Sequence, residues 1–172
     1  PRGRAPAAGP GLMRVAESIT ITAPPELVWE AVSDPKRYLH FMSGVTRWSV
    51  EGERETGLGA RYRMLLRVGS AEVGGLIEVV EYTEARDLAW TSVTGIDQRG
   101  RWRIRERGGA SRVELRLQYG VAGSGLWGWI AESLAARTVS GHLRHSLQQL
   151  KRQVEHEQLR AQAAARRAAR TA

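Results

Sequence analysis

Apolar and polar residues alternate along most of the chain between residues 14 and 119. A period of two is typical of β-strands that bury one face. The alternation is clearest over residues 60–68, where one face carries Tyr62, Met64, Leu66 and Val68 and the other carries Arg61, Arg63 and Arg67. The pattern predicts seven strands, over residues 14–22, 45–53, 60–68, 71–82, 87–93, 98–106 and 112–119. Short turns such as Gly108–Gly109 predict antiparallel neighbours.

Two short helices are predicted between the first two strands. Pro24 and Pro25 preset the backbone for a helix over residues 26–33, and Pro35 disfavours helical geometry in Asp34, which ends it. A second short helix is predicted around residues 38–42, before Gly44. Within the strands, the pair Gly74–Gly75 predicts a bulge or bend.

The last predicted element is a long helix over residues 126–154. Its apolar stripe has the spacing of an amphipathic helix and consists of Trp129, Ala136, Val139, Leu143, Leu147, Leu150 and Val154. In the first half, a second set projects to the opposite side: Trp127, Ile130, Leu134 and Thr138. We therefore predict that the second half anchors the helix to the sheet and that the first half closes a lipophilic cavity. Gly141 could allow a kink between the two halves.

The chain of 172 residues suits one domain. Residues 1–13 are predicted to be a disordered leader, residues 14–155 the folded domain, and residues 156–172 a basic Ala/Arg-rich tail that is helical or frayed. There is no cysteine, no stretch that resembles a signal peptide and no run of about 18 apolar residues. The expected location is the cytoplasm.

The net charge of +8 lies mainly at the ends of the chain. Arg2, Arg4 and Arg14 contribute +3 and the segment after Val154 contributes +2, which leaves +3 for the body. A nearly balanced body argues against nucleic-acid binding.

Several segments together resemble a known superfamily. They are residues 19–29, reading ITITAPPELVW, residues 33–38, reading SDPKRY, then Phe41–Met42, Gly59–Tyr62 and Leu147–Leu150 before Lys151. Over residues 14–154 the chain resembles the START-like or helix-grip superfamily (SRPBCC), which includes the birch-pollen allergen fold. Within it, the chain is most similar to bacterial polyketide cyclase/dehydrase-like and coenzyme Q-binding-like proteins.

This resemblance implies an α+β helix-grip fold, in which a curved seven-stranded antiparallel sheet wraps around the long C-terminal helix and a lipophilic cavity lies between them. The implied function is binding, sequestration or transport of a polyketide, isoprenoid quinone or lipid, without a cofactor. The residues predicted to line the cavity are Tyr62, Met64, Leu66, Trp90, Trp102, Ile104, Leu115, Leu117, Tyr119, Ile130, Leu134 and Thr138.

The alternative is a polyketide aromatase/cyclase that acts through cavity shape and one or two proton donors. Tyr62, Tyr119 and Arg137 are its candidate catalytic residues, and Ser92, Glu106 and His142 are further polar residues that could face inward. The strand arginines Arg61, Arg63, Arg101, Arg103 and Arg105 are expected to face solvent, since they alternate with the apolar set.

The sequence carries no motif for a metal or a nucleotide. His142 and His145 have a spacing that can bridge a metal, but no third ligand accompanies them. Neither a phosphate-binding glycine motif nor a GxSxG nucleophile motif is present. Trp127 and Trp129 lie beside the predicted cavity mouth, where they could pack inside or make a transient contact with a membrane or a protein.

Overall fold

The backbone forms seven strands and three α-helices within residues 12–120 and 126–171, the part described by the computed structural model. Side chains are described for residues 13–120 and 136–171. The strands are β1 (Leu12–Ile21), β2 (Val45–Glu51), β3 (Arg61–Val68), β4 (Ala71–Thr83), β5 (Asp87–Gly95), β6 (Gln98–Arg107) and β7 (Ala110–Gly120). The helices are α1 (Pro25–Ser33), α2 (Tyr38–Phe41) and α3 (Leu126–Thr171), with a 3₁₀ turn at Pro35–Arg37.

All seven strands belong to one curved antiparallel sheet in the order β1-β7-β6-β5-β4-β3-β2. Consecutive strands from β2 to β7 are neighbours, whereas β1 is added beside β7 at the far edge. Helix α3 packs across the inner face, mainly against β1. The predicted α+β helix-grip fold is therefore confirmed. Residues 1–11, which form most of the predicted leader, lie outside the described residues.

The glycine pair in β4 does not form the predicted bulge against β3. Leu65 pairs with Gly74 and Met64 with Gly75 in unbroken register. The irregularity lies beyond the pair, on the β5 side, between Leu76 and Ile77. Glycine is needed because the strands approach closely: a Cβ on Gly74 would lie 2.1 Å from the Met64 carbonyl oxygen.

One end of the inner face is filled by aromatic side chains beneath α1 and α2. Trp102, on β6, is fully buried, and its Nε1–H donates to the Tyr38 hydroxyl over 3.1 Å. The Tyr38 hydroxyl donates in turn to the Val32 carbonyl over 2.7 Å, and burial raises the pKa of Tyr38 far above its usual range. Tyr38 stacks on Trp48 at 4.1 Å between ring centroids, and the Phe41 ring lies edge-on to Trp102. This end of the interior is a solid core.

Hydrogen bonds made by side chains on either side of its buried stripe connect α3 to β1. Ser140 and Arg144 both donate to the Glu17 carboxylate, and the Ser140 hydrogen bond in particular holds the pKa of Glu17 below its usual range. Further along, Lys151 donates to the Thr20 carbonyl, while Glu155 accepts from the Thr22 N–H. These contacts fix the rotation of α3 about its axis, so that a defined face meets the sheet.

The buried stripe of α3 contains the residues expected to anchor it: Val139, Leu143, Leu147, Leu150 and Val154. The helix continues unbroken through Gly141, which is exposed. Beyond the domain α3 extends to Thr171, and residues 159–171 are all exposed. The tail is therefore a helical extension without contacts to bury it.

The strand arginines lie on the outer face of the sheet and pair with carboxylates there. Asp87, on β5, accepts from Arg103 over 3.3 Å and from Arg105 over 2.8 Å, both on the adjacent β6. Burial alone would raise the pKa of Asp87, but the hydrogen bonds and charges of Arg105 and Arg103 outweigh it and lower the pKa. The ionised form of Asp87 is therefore favoured by folding.

We expect Asp87→Asn to lower the free energy of unfolding at pH 7 by about 1.5–3 kcal/mol, because it removes charge-assisted hydrogen bonds. A carboxyl whose pKa is lowered by folding stabilises the protein above its unfolded pKa and loses that contribution as pH falls. The difference between wild type and variant should therefore shrink below about pH 4. Urea titrations from pH 7 to pH 3 measure it, with the exposed Glu53→Gln as control. A difference that is constant with pH would contradict the assignment.

Candidate ligand-binding site

Two adjoining cavities lie between the inner face of the sheet and α3. Their volumes are about 40 Å³ and about 20 Å³, room for one or two water molecules each. Both are lined by Met64, Leu66, Leu117 and Val139, so these four side chains form the wall that the cavities share. The alternation of β3 and β7 aims their apolar side chains inward, and Val139 meets them from α3. Displacement of the shared wall would merge the cavities.

Half of the residues predicted to line the cavity do so, namely Met64, Leu66, Trp90, Leu115, Leu117 and Tyr119. The other lining residues were not among those predicted to line the cavity; they are Met42, Ser43, Val45, Trp48, Val68, Val73, Gly74, Ile96, Gln98 and Val139, with Leu143. Val68 lies on the face of β3 that was predicted to be apolar, and Val139 and Leu143 belong to the stripe of α3 that was predicted to pack on the sheet. The residues that follow α2 show no alternation of apolar and polar positions, because a turn and not a strand places them at the site.

Tyr62, Trp102 and Ile104 face inward as predicted but do not line either cavity. They lie toward the aromatic end of the sheet. The Tyr62 hydroxyl donates to the Glu55 carbonyl over 2.8 Å, and burial raises its pKa to about 12. A hydroxyl that is bonded to the backbone at the filled end is poorly placed to donate a proton to a ligand beneath α3.

Arg137 and Thr138, predicted to face the interior, are instead exposed on α3. At 3.6 residues per turn, Arg137 projects about 120° and Thr138 about 140° away from the centre of the buried stripe of α3. That stripe is held against β1, so the two side chains face away from the cavities. Ile130, Leu134, Trp127 and Trp129 lie outside the residues whose side chains are described.

Buried polar groups interrupt the apolar lining. The indole nitrogens of Trp48 and Trp90 are buried, and neither has a hydrogen-bond partner within the described part of the chain. An unpaired buried N–H costs about 1–3 kcal/mol. Gln98 is 96% buried in the first cavity, where its neighbours are apolar. The site thus combines apolar walls with buried indole N–H groups that can donate to a ligand acceptor.

Gly100 on β6 supports the position of Trp90. The two residues are register partners, and a Cβ on Gly100 would lie 1.9 Å from Cζ2 of the indole. The ring therefore lies directly on the backbone of β6, which only glycine permits here. This contact leaves space beneath α3 that a displaced indole would occupy.

A serine–histidine network closes the site at the end of α2. Ser43 Oγ and His142 Nδ1 are 3.1 Å apart, and both residues line the second cavity. The Ser43 N–H donates to Ser146 Oγ, whose hydroxyl donates to the His142 carbonyl. Gly44 makes room for the imidazole, because a Cβ there would lie 2.7 Å from the ring. His142 is thus held in one orientation at the edge of the cavity.

The remaining polar candidates lie elsewhere. Ser92 accepts a hydrogen bond from the Gln98 N–H, Glu106 is exposed, and His145 is exposed beside Gln149. Among the side chains that the structure describes, no group of three His, Asp or Glu residues could hold a metal ion. None of the described helices has both the length and the apolarity to cross a bilayer.

Residues 13–155 match the family described as polyketide cyclase / dehydrase and lipid transport. The chain belongs to this family. The match runs from β1 into α3 and includes every residue that lines the two cavities. The predicted placement in the START-like superfamily is therefore confirmed. Among curated proteins, none matches the chain.

Several solved structures of other proteins have the same fold as this chain. TTHA0849 from Thermus thermophilus is 22% identical with a TM-score of 0.72, over 83% of this chain and 97% of that one. The Zhui aromatase/cyclase from Streptomyces sp. R1128 is 18% identical with a TM-score of 0.71, over 84% and 94%. A START superfamily protein from Mycobacterium smegmatis is 17% identical with a TM-score of 0.65, over 83% and 97%. At these identities the likeness concerns the fold.

Proposed function

We propose that this member of the polyketide cyclase/dehydrase and lipid transport family binds a small lipophilic ligand beneath α3, and sequesters or transports it. The observation that carries the proposal is the pair of adjoining cavities with a shared apolar wall. A polyketide, an isoprenoid quinone or a lipid with a neutral oxygen suits the site, because the Trp48 and Trp90 N–H groups can donate to such an acceptor. The cytoplasm stays the predicted location.

The interior must widen before such a ligand fits. Ligand pockets commonly measure about 300–1,000 Å³, whereas the two cavities are far smaller. Met64 and Leu66 belong to the shared wall, and an unbranched methionine adapts its shape at little cost. Binding therefore selects an opened form, and the measured affinity is reduced by the fraction of molecules in that form.

Native mass spectrometry of the purified protein and titration with a fluorescent fatty-acid probe test the proposal. We expect Val139→Phe, which fills the shared wall, to weaken probe binding at least tenfold. Val154→Phe is the matched control: it enlarges the same residue type on the same stripe, away from the cavities. Both should lower the free energy of unfolding by about 1–3 kcal/mol. Absence of probe uptake by wild type, or equal affinities for the two variants, would count against a site beneath α3.

Polyketide cyclisation is the second candidate, favoured by the oriented His142 at the cavity edge. Imidazole is a common general acid and base in enzymes, and Ser43 fixes the orientation of this one. Zhui, an aromatase/cyclase, shares the fold. We expect His142→Gln to lower the yield of cyclised product from a poly-ketone by about 10²–10⁴-fold with probe binding retained. Tyr62→Phe should leave the yield unchanged, so equal effects of the two changes would refute a role for His142.

A further inference from the structure

The outer face of the sheet carries an open depression of about 500 Å³, on the side opposite the ligand cavities. Its floor is formed where small residues of adjacent strands meet, Ala89 on β5 and Gly100 on β6. One wall is raised by a bulge in β4: the register shifts between Val79 and Glu81, so Val80 is the extra residue and is 49% exposed. Bulges are frequent beside binding sites because they redirect side chains.

Arginines border this depression in two rows that run across the strands. In the first row, Gln118 on β7 pairs with Arg14 on one side and with Arg99 on the other. In the second row, Arg116 on β7 pairs directly with Arg101 on β6. Neighbouring strands lie about 5 Å apart and alternate residues of a strand about 7 Å apart. Three of these arginines, Arg99, Arg101 and Arg116, line the depression and are close enough together to bind one or two phosphate groups.

Carboxylates balance the charge of these two rows only in part. Arg101 is paired with Glu81 and lies 3.9 Å from Asp87, and Arg116 is paired with Glu114, whereas Arg99 has no carboxylate partner among the described side chains. The next row along the strands is compensated, since Asp87 and Glu114 flank Arg103 there. Arg99 is therefore the arginine of the depression that a bound anion can pair with without displacing a carboxylate.

The pairing of Arg101 with Arg116 is itself unfavourable to folding, because like charges directly opposite each other in a sheet repel. A bound anion would remove that repulsion. Guanidinium groups bind phosphate oxygens through two parallel N–H···O bonds, and several groups can share one phosphate. A concave site of this volume suits a small molecule better than an extended surface.

We propose that this depression binds a small molecule that carries a diphosphate or another multiply charged phosphate group, held by Arg99, Arg101 and Arg116. The site is separate from the cavities beneath α3 and does not depend on the ligand proposed for them. Glu81 competes with the anion for Arg101, so it sets how tightly the site binds.

Calorimetric titration of the full chain with inorganic pyrophosphate, at low ionic strength, tests the proposal. We expect Arg99→Gln/Arg116→Gln to weaken binding at least tenfold. The matched control Arg103→Gln/Arg112→Gln removes the same charge from the outer face at positions that do not line the depression, and should change the affinity less than threefold. Glu81→Gln should tighten binding several-fold. Backbone amide shifts on pyrophosphate addition should centre on residues 99–101 and 116–118.

Equal weakening by the two double variants would overturn the proposal, since it would mean that only overall charge matters. No measurable binding of pyrophosphate by wild type at millimolar concentration would overturn it as well. Phosphatidylglycerol vesicles and a 20-nucleotide RNA are compared with pyrophosphate. If either bound more tightly than pyrophosphate, and Arg99→Gln/Arg116→Gln lost that binding, the partner would be an extended surface and not a small molecule. Uptake of the fatty-acid probe should be unchanged in both double variants, which separates this outcome from failure of the cavity site.

Discussion

Replacement of Trp102 by alanine is expected to lower the free energy of unfolding by about 3–5 kcal/mol. The side chain is fully buried, so its removal leaves a large void beneath α1 and α2. The change also removes the donor to the Tyr38 hydroxyl and the edge contact with Phe41. Urea unfolding followed by circular dichroism measures the loss. Leu159→Ala is the control, because Leu159 is 63% exposed and should change stability very little.

The same variant distinguishes residues that fill the interior from those that line the cavities. Trp102 belongs to the aromatic end and not to the cavity walls. The folded fraction of Trp102→Ala should therefore bind the fluorescent fatty-acid probe within about threefold of wild type. An affinity that falls with little loss of stability would show the reverse arrangement, in which Trp102 contacts the ligand.

The alternation of apolar residues was sufficient to predict which face of each strand is buried. It was not sufficient to predict which inward residues meet empty space. Trp102 and Leu115 are register partners on the same face, yet only Leu115 borders a cavity. The difference depends on where α1 and α2 cover the sheet, which is a tertiary arrangement without a local sequence pattern.

Polar residues on the inner face of the sheet explain why the orientation of α3 was not predicted correctly. Glu17 has the parity of Val15 and Ile19 in β1 and faces α3, where Ser140 and Arg144 bind its carboxylate. The rotation of α3 that places Val139 inward and Arg137 outward depends on such contacts. A helical projection gives the angles between residues of α3 but not the direction in which a neighbouring element lies.

The serine–histidine network shows the same limit for the candidate site. Ser43 and His142 are 99 positions apart in the sequence and meet only because α2 ends beside α3. His142 was recognised as a polar candidate, whereas Ser43 follows a helix end and has no distinctive spacing. Periodicity cannot predict a contact between a residue that follows one helix and a residue within another.

Gly100→Ala is expected to weaken probe binding at least tenfold, which corresponds to about 1.4 kcal/mol. The new methyl group would lie 1.9 Å from Trp90 Cζ2, closer than any van der Waals contact permits. The indole must leave the backbone of β6, and the space open to it is the cavity that it already borders. Overpacking of this kind also lowers the free energy of unfolding by about 1–3 kcal/mol. Probe titration and urea unfolding measure the two effects.

Two further variants test whether displacement of the Trp90 indole causes the loss of probe affinity. Gly120→Ala is the matched control: its new Cβ would find its nearest neighbour at 3.6 Å, an ordinary contact, so binding should be unchanged. Combining Gly100→Ala with Trp90→Phe should restore much of the affinity, because a phenyl ring lacks the part of the indole that contains Cζ2. Neighbouring residues that share one space give non-additive effects in such a cycle. Additive losses in the double variant would mean that Gly100 acts through the strand itself, and that the position of Trp90 does not govern access to the cavity.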